Sequence, residues 1–181
     1  MLKHGILGLL NYHPMNGYEI MLAFRDSLHF FWSAQTSQIY RELQTLEARG
    51  WVNKTPVSQQ SKPDKNIYAI TPEGHEELLR WLADGIPELN SRSHVLMKVF
   101  FLGERSPEEN IRYFEGLKEY CAVLLQSLDI AQGNIDQYRA LIDDRGRADY
   151  WEMTIDFGRR NMRMYMDWAE SCIQRLKEKS E

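Results

Sequence analysis

Ser37, Gln38, Tyr40 and Arg41 place a hydroxyl, a carboxamide, a phenol and a guanidinium within one short segment of the chain. Such groups hydrogen-bond base edges and phosphates in a DNA major groove. Ile39, Leu43 and Leu46, at i, i+4 and i+7, bury one stripe of a helix there and turn the polar residues outward, together with Thr45. Further along, Lys54, Lys62 and Lys65 face only Asp64 in a polar stretch, and lysines so placed neutralise phosphates. An ordinary solvated helix face has the same pattern, so the flanking elements must decide.

Catalytic and metal chemistry find no comparable support. The histidines His4, His13, His29, His75 and His94 fit no H-x-x-E-H spacing, and the chain has neither a C-x-x-C pair nor a phosphate-cradling glycine loop. His75-Glu76-Glu77 imitates a site, but acidic residues in a first helical turn are explained by the helix dipole. Cys121 and Cys172 lie on apolar seams, where cysteine packs as a small apolar group, and two cysteines this far apart point to a reducing compartment. No enzyme, metal or cofactor is expected.

Ser33 is the predicted cap of the polar helix and Gly50 its stop, since glycine takes the left-handed conformation without a Cβ clash. Before it, Leu2, Ile6, Leu9 and Leu10 predict a first helix, residues 13–17 break it, and a second helix is expected from about Tyr18 to Phe30. After Gly50, Trp51-Val52 and Ile67-Tyr68-Ala69-Ile70 are extended runs joined by polar residues, a two-stranded hairpin. Thr71-Pro72 restarts a helix carrying Leu78, Leu79 and Leu82. The order α-α-α-β-β-α is that of a winged helix-turn-helix.

With 181 residues, 43% of them hydrophobic, two parts are expected: a winged helix-turn-helix DNA-binding domain at 1–86 and a helical dimerisation and effector domain at 87–181. The predicted fold class is therefore mostly α with a small β-hairpin. The net charge of −4 opposes a broadly basic DNA coat, so binding would rest on local charge, within a Debye length of roughly 8 Å. The start of the chain shows no small-residue cleavage site, and the longest apolar stretch, Val95 to Leu102, is interrupted by Lys98 and falls short of the roughly 20 residues that span a bilayer. A soluble cytoplasmic protein without a membrane partner is expected.

In the second half, Ser106-Pro107-Glu108-Glu109 is a capping box with proline at N1. From Phe114 through Leu117, Cys121, Leu124, Leu128, Ala131, Ile135 and Tyr138 to Ile142, apolar residues step by 3 and 4, a heptad seam. After an interruption at Asp143-Asp144-Arg145-Gly146 the stepping resumes at Trp151, Ile155, Gly158, Met162, Tyr165, Ala169, Cys172 and Leu176. Two long helices in an antiparallel hairpin follow. Ile111, Leu125, Leu141, Met153, Met164 and Trp168 are left over and need either the first domain or a second copy, and a homodimer presenting two heads to a palindromic operator is the favoured reading.

The motifs GYEI (residues 17–20), FWSAQTSQIYRELQTLEARGWV (31–52), YAITPEG (68–74) and MKVFFLG (97–103) resemble those of the PadR family of bacterial transcriptional regulators, over nearly the whole chain. The resemblance implies a dimeric repressor of double-stranded DNA. Its FWSA segment and carboxy-terminal length look like the phenolic-acid-responsive branch, which implies a small aromatic acid effector. Phe100, Phe101 and Trp151, with Phe157 and Tyr165 nearby in pattern, are the candidate stacking residues, and Arg159-Arg160 a candidate positive charge; aromatic core packing at helical spacing explains the same residues. The alternative function is a protein-interaction module that uses the heptad helices, with the winged domain as scaffold.

Overall fold

The computed structural model describes residues 1–28, 31–57, 65–87, 92–139 and 145–179. The chain divides into two compact units, Met1–Ile86 and Pro87–Glu181. The first contains α1 (Leu2–Leu10), β1 (Met15–Asn16), α2 (Gly17–Ala23), a π-helical turn (Phe24–Leu28), α3 (Thr36–Ala48), β2 (Val52–Val57), β3 (Lys65–Ile70) and α4 (Pro72–Ala83). This is the expected winged order with one addition. Residues 13–17 do more than break a helix: Met15 and Asn16 pair with Tyr68 and Ile67, making a three-stranded antiparallel sheet in the order β1-β3-β2. Two residues are too few to show a strand period, yet the pairing satisfies backbone groups beside the buried Met15 side chain. Because β2 is an edge strand, it tolerates Pro56, which lacks an N–H to give a neighbour.

Local capping explains the other departures. Asn16 accepts the Tyr18 and Glu19 N–H groups at 2.9 and 3.0 Å while Glu19 accepts the Asn16 N–H at 2.8 Å, so α2 starts on a reciprocal box. Regular α geometry ends at Ala23 rather than near Phe30, which itself lies outside the described residues. The helix loosens into the π turn at Phe24, whose ring packs on Gly5. Ser33 does not cap α3. The cap is Gln35, whose N–H donates to the Gln38 side-chain carbonyl at 3.0 Å, an arrangement that a search for Ser or Thr caps passes over. Gly50 ends the segment at φ +70, as expected.

Ile39, Leu43 and Leu46 are fully buried against Ile6, Leu7, Leu10, Ile20, Val52 and Leu78. Each such aliphatic side chain contributes about 1.5–3 kcal/mol of transfer energy. Of the three leucines that α4 carries, Leu78 is buried while Leu79 and Leu82 are exposed. The inward stripe runs Gly74, Leu78, Trp81, with the Trp81 indole stacked on His4 at 4.6 Å between centroids. Thr71 caps α4 by accepting the Gly74 N–H and ties it down by donating to the Gly50 carbonyl at 2.8 Å. A Cβ at Gly74 would collide with the Trp51 carbonyl oxygen, so this close approach requires glycine.

The second unit holds α5 (His94–Phe100), a 3-10 turn (Leu102–Glu104), α6 (Pro107–Arg139) and α7 (Arg145–Glu178). The Ser106–Glu109 box forms as the sequence implies, with reciprocal bonds of 3.1 and 3.3 Å. At 33 residues, α6 is about 50 Å long. It packs antiparallel on α7: Phe114 meets Trp168, Lys118 pairs with Glu170, and Asp129 pairs with Arg159. Phe114, Cys121 and Leu128 are buried on one seam, Ile155 and Ala169 on the other. Arg145 and Gly146 do not interrupt the hairpin but begin α7. Ile142 and the side chains of Ile135 and Tyr138 lie outside the described residues. Ile173, off the expected seam, is buried in a cluster with Leu102 and Phe114, which the end of α5 also joins through Val99.

Candidate nucleic-acid interface

The outward face of α3 carries the predicted chemistry. Ser37, Gln38, Tyr40 and Arg41 are all exposed, while the opposite stripe anchors the helix in the core. Gln38, Arg41, Glu42 and Thr45 line one side of a solvent-open groove of about 330 Å³, and Leu2, Trp32 and Ser33 line the other. Arg41 makes no ion pair among the described residues, so its charge is available to an anion. Tyr40 has a second job. Its ring packs on Gly17, where a Cβ would lie 2.5 Å from the nearest ring carbon, so Tyr40 also sets how α2 meets α3.

Next to α3, Lys65 opens β3 opposite Val57 and is half-buried, while Lys62 lies outside the described residues. Asp64 is not the sole acid facing the wing lysines, as expected from sequence: at the base of the wing Lys54 pairs with Glu47, which α3 brings alongside, at 3.8 Å, and the Trp51 ring carries Lys3 at 4.9 Å and Arg49 at 5.0 Å. Lys3 and Arg49 were not among the sequence candidates, since their meeting on one ring depends on α1 lying beside the turn after α3. Nor were Leu2, Trp32 and Glu42, which the fold brings to the groove from separate segments.

A partly buried charge cluster ties α1 to α4. Glu77 accepts from Lys3 Nζ at 2.9 Å and His4 Nε2 at 3.1 Å and pairs with Arg80 at 2.6 Å. The hydrogen bond from Lys3, then that from His4, holds its carboxyl down to about 2. Burial lowers His4, and its Nδ1 has no partner, so the neutral tautomer with the proton on Nε2 suits the site. His75 takes no part in this cluster, and among the described residues no group of three or more His, Cys, Asp or Glu could hold a metal. Burial pushes both the Cys121 and Cys172 thiols up, away from the reactive thiolate.

The effector candidates are arranged differently from expectation. Phe100 and Phe101, at the end of α5, are 81% and 62% exposed and meet edge to face at 5.1 Å. Their neighbours Val99 and Leu102 pack with Ala169, Ile173 and Leu176. Trp151 is half-buried near the other end of α7, about 27 Å along the helix from Ala169 at 1.5 Å per residue. One chain therefore does not bring Trp151 to Phe100 and Phe101, a separation hidden from sequence because it depends on where α5 docks. The charges of Arg159 and Arg160 are engaged by Asp129 at 2.8 Å and Asp156 at 2.7 Å. No helix among the described residues is long and apolar enough to cross a membrane.

Residues 6–80 match the model of the transcriptional regulator PadR-like family, and residues 91–177 match that of the virulence activator alpha C-term. A probable transcriptional regulator of Mycobacterium tuberculosis is 43% identical over 83 residues, which span 46% of this chain and 44% of that relative. The negative transcriptional regulator PadR of Bacillus subtilis is 30% identical over 180 residues and 96% of both chains. Crystal structures of Bacillus subtilis PadR superpose with TM-score 0.82 in complex with operator DNA (28% identity, 97% of this chain and 98% of that one) and 0.78 in complex with p-coumaric acid (26% identity, the same coverage). Full-length identity with a relative named as a regulator rather than an enzyme agrees with a winged, DNA-binding architecture, and the chain belongs to the PadR-like family of transcriptional regulators.

Proposed function

We propose that this regulator is a homodimeric repressor that acts in the cytoplasm on a palindromic operator, which it reads with Ser37, Gln38, Tyr40 and Arg41 of α3 and grips with Lys62 and Lys65 of the wing. The observation that carries this reading is the exposed polar row of α3, with an arginine that makes no ion pair among the described residues, held by a fully buried stripe on its other side. A scaffold for protein contacts has no need of such a row. Operator DNA in the complex of the Bacillus subtilis protein supports DNA as the partner.

The dimer is inferred from the long hairpin, which leaves Tyr120, Val123, Ile130, Met153, Phe157 and Met164 exposed. A small aromatic acid is the proposed effector, on the strength of the p-coumaric acid complex of that relative. A site using Phe100, Phe101 and Trp151 together would draw them from two protomers, and the acid would act by favouring the dimer whose heads no longer match the operator. The test is a gel shift with the DNA upstream of the protein's own gene, repeated over a panel of hydroxycinnamic acids. Specific retardation that the acids relieve supports the reading; no retardation of any duplex overturns it.

A further inference from the structure

The groove beside α3 is lined by more than the residues of that helix. Gln38, Arg41, Glu42 and Thr45 follow one another over two helical turns, about 10 Å, and the facing wall is Trp32 and Leu2. At 3.4 Å per nucleotide along one strand, that length matches about three nucleotides. Apolar Leu2 and Trp32 face polar Gln38 and Thr45, Arg41 makes no ion pair among the described residues, and the groove opens to solvent, unlike an enclosing small-molecule pocket.

We propose that this groove seats the sugar–phosphate edge of one DNA strand, which makes Trp32 a DNA-contacting residue and Glu42 a brake on binding. The proposal rests on the DNA-binding reading above. Trp32 is 39% exposed, and its indole N–H has no acceptor among the described residues, so it offers an apolar face to deoxyribose and a donor to a phosphate oxygen. Leu2 extends the apolar wall. Arg41 supplies the charge that a phosphate needs. Glu42, in the same lining and without an ion pair among the described residues, opposes it. A carboxylate there weakens attraction to any duplex, so the sequence-dependent contacts of the rest of α3 count for more.

The parent, Trp32→Ala, Trp32→Phe and Glu42→Gln proteins are titrated on an operator duplex and a random-sequence duplex of equal length, with thermal melting to check the fold. Backbone seating is blind to sequence. Trp32→Ala should weaken binding to both duplexes by roughly five- to tenfold, the scale of losing one hydrogen bond to a phosphate oxygen, with Trp32→Phe, which keeps an apolar ring but no donor, falling between it and the parent. Glu42→Gln should tighten both several-fold, a gain that damaged folding cannot produce. The proposal stands only if the Trp32 and Glu42 variants move in these opposite directions on both duplexes; loss at the operator alone, or no gain from Glu42→Gln, overturns it. Failure of the parent itself to bind either duplex would instead overturn the DNA-binding reading.

Discussion

Gln38 does two things with one carboxamide, and they can be separated by experiment. Its carbonyl caps the Gln35 N–H, and its NH2 group remains for a base edge or phosphate. Gln38→Ala should cost about 0.5–1.5 kcal/mol of folding stability, the net worth of one hydrogen bond. At the operator it should cost about 1–3 kcal/mol of binding, with random DNA barely affected; equal losses on both duplexes would show that Gln38 contacts the backbone or only caps, and does not read bases. Gly17 and Tyr40 form a second coupled pair. A methyl group at Gly17 meets the Tyr40 ring, so Gly17→Ala should destabilise by about 1–3 kcal/mol through overpacking. In a Tyr40→Ala background the same change should cost much less, and equal costs in denaturant titrations would show that the contact is not what constrains Gly17. The chemistry of α3 was legible in sequence because side chains on one short helix keep fixed relative positions. Trp32, Leu2 and Gly17 were not, because their roles depend on segments that only the fold brings together.

Elements were legible where capping and period agree. Thr71-Pro72 and Ser106-Pro107 start α4 and α6 as their residue types imply, and Gly50 ends its segment, because each signal needs only local backbone geometry. The signals were silent where a tertiary partner decides: β1 exists by pairing with β3, and α4 turns Trp81 inward, where it stacks on the His4 ring, while Leu79 and Leu82 stay exposed. That docking of α4 on α1 also carries the acid sensitivity of the head. The folded-state values of Glu77 and His4 both lie below their ordinary ones, so the unfolded chain binds protons that the folded chain refuses, and stability falls as pH falls. For His4 the loss starts as pH drops through its ordinary value of 6.5; for Glu77 it runs from 4.5 down to about 2. Glu77→Gln should lower the melting temperature near neutral pH and flatten its fall below about pH 5. A variant that melts in parallel with the parent across this range would exclude the Lys3–His4–Glu77 cluster as the acid-labile contact.

At the scale of the molecule, two long helices bury one seam in each other and leave another unpaired. Heptad stepping revealed the first seam in sequence because each helix repeats it, whereas the position of α5 against the end of α7 has no local signal and left the aromatic residues misgrouped. Ile130 of α6 and Phe157 of α7 are 69% and 67% exposed, so a charge at either leaves the core of the single chain intact. Placed in a dimer interface, a desolvated unpaired carboxylate is costly, and two of them per protomer should split the assembly. Ile130→Glu with Phe157→Glu is therefore expected to give a folded monomer by sedimentation, with circular dichroism unchanged. Losing the second head removes the effective concentration that links the two half-sites, so affinity for a full palindrome should fall by roughly 10²–10⁴ while affinity for a single half-site stays the same. A variant that sediments as a dimer would place the interface elsewhere on the second unit. A monomer that holds the palindrome as tightly as the parent would mean that one head suffices, and the two-headed reading of the operator would have to be abandoned.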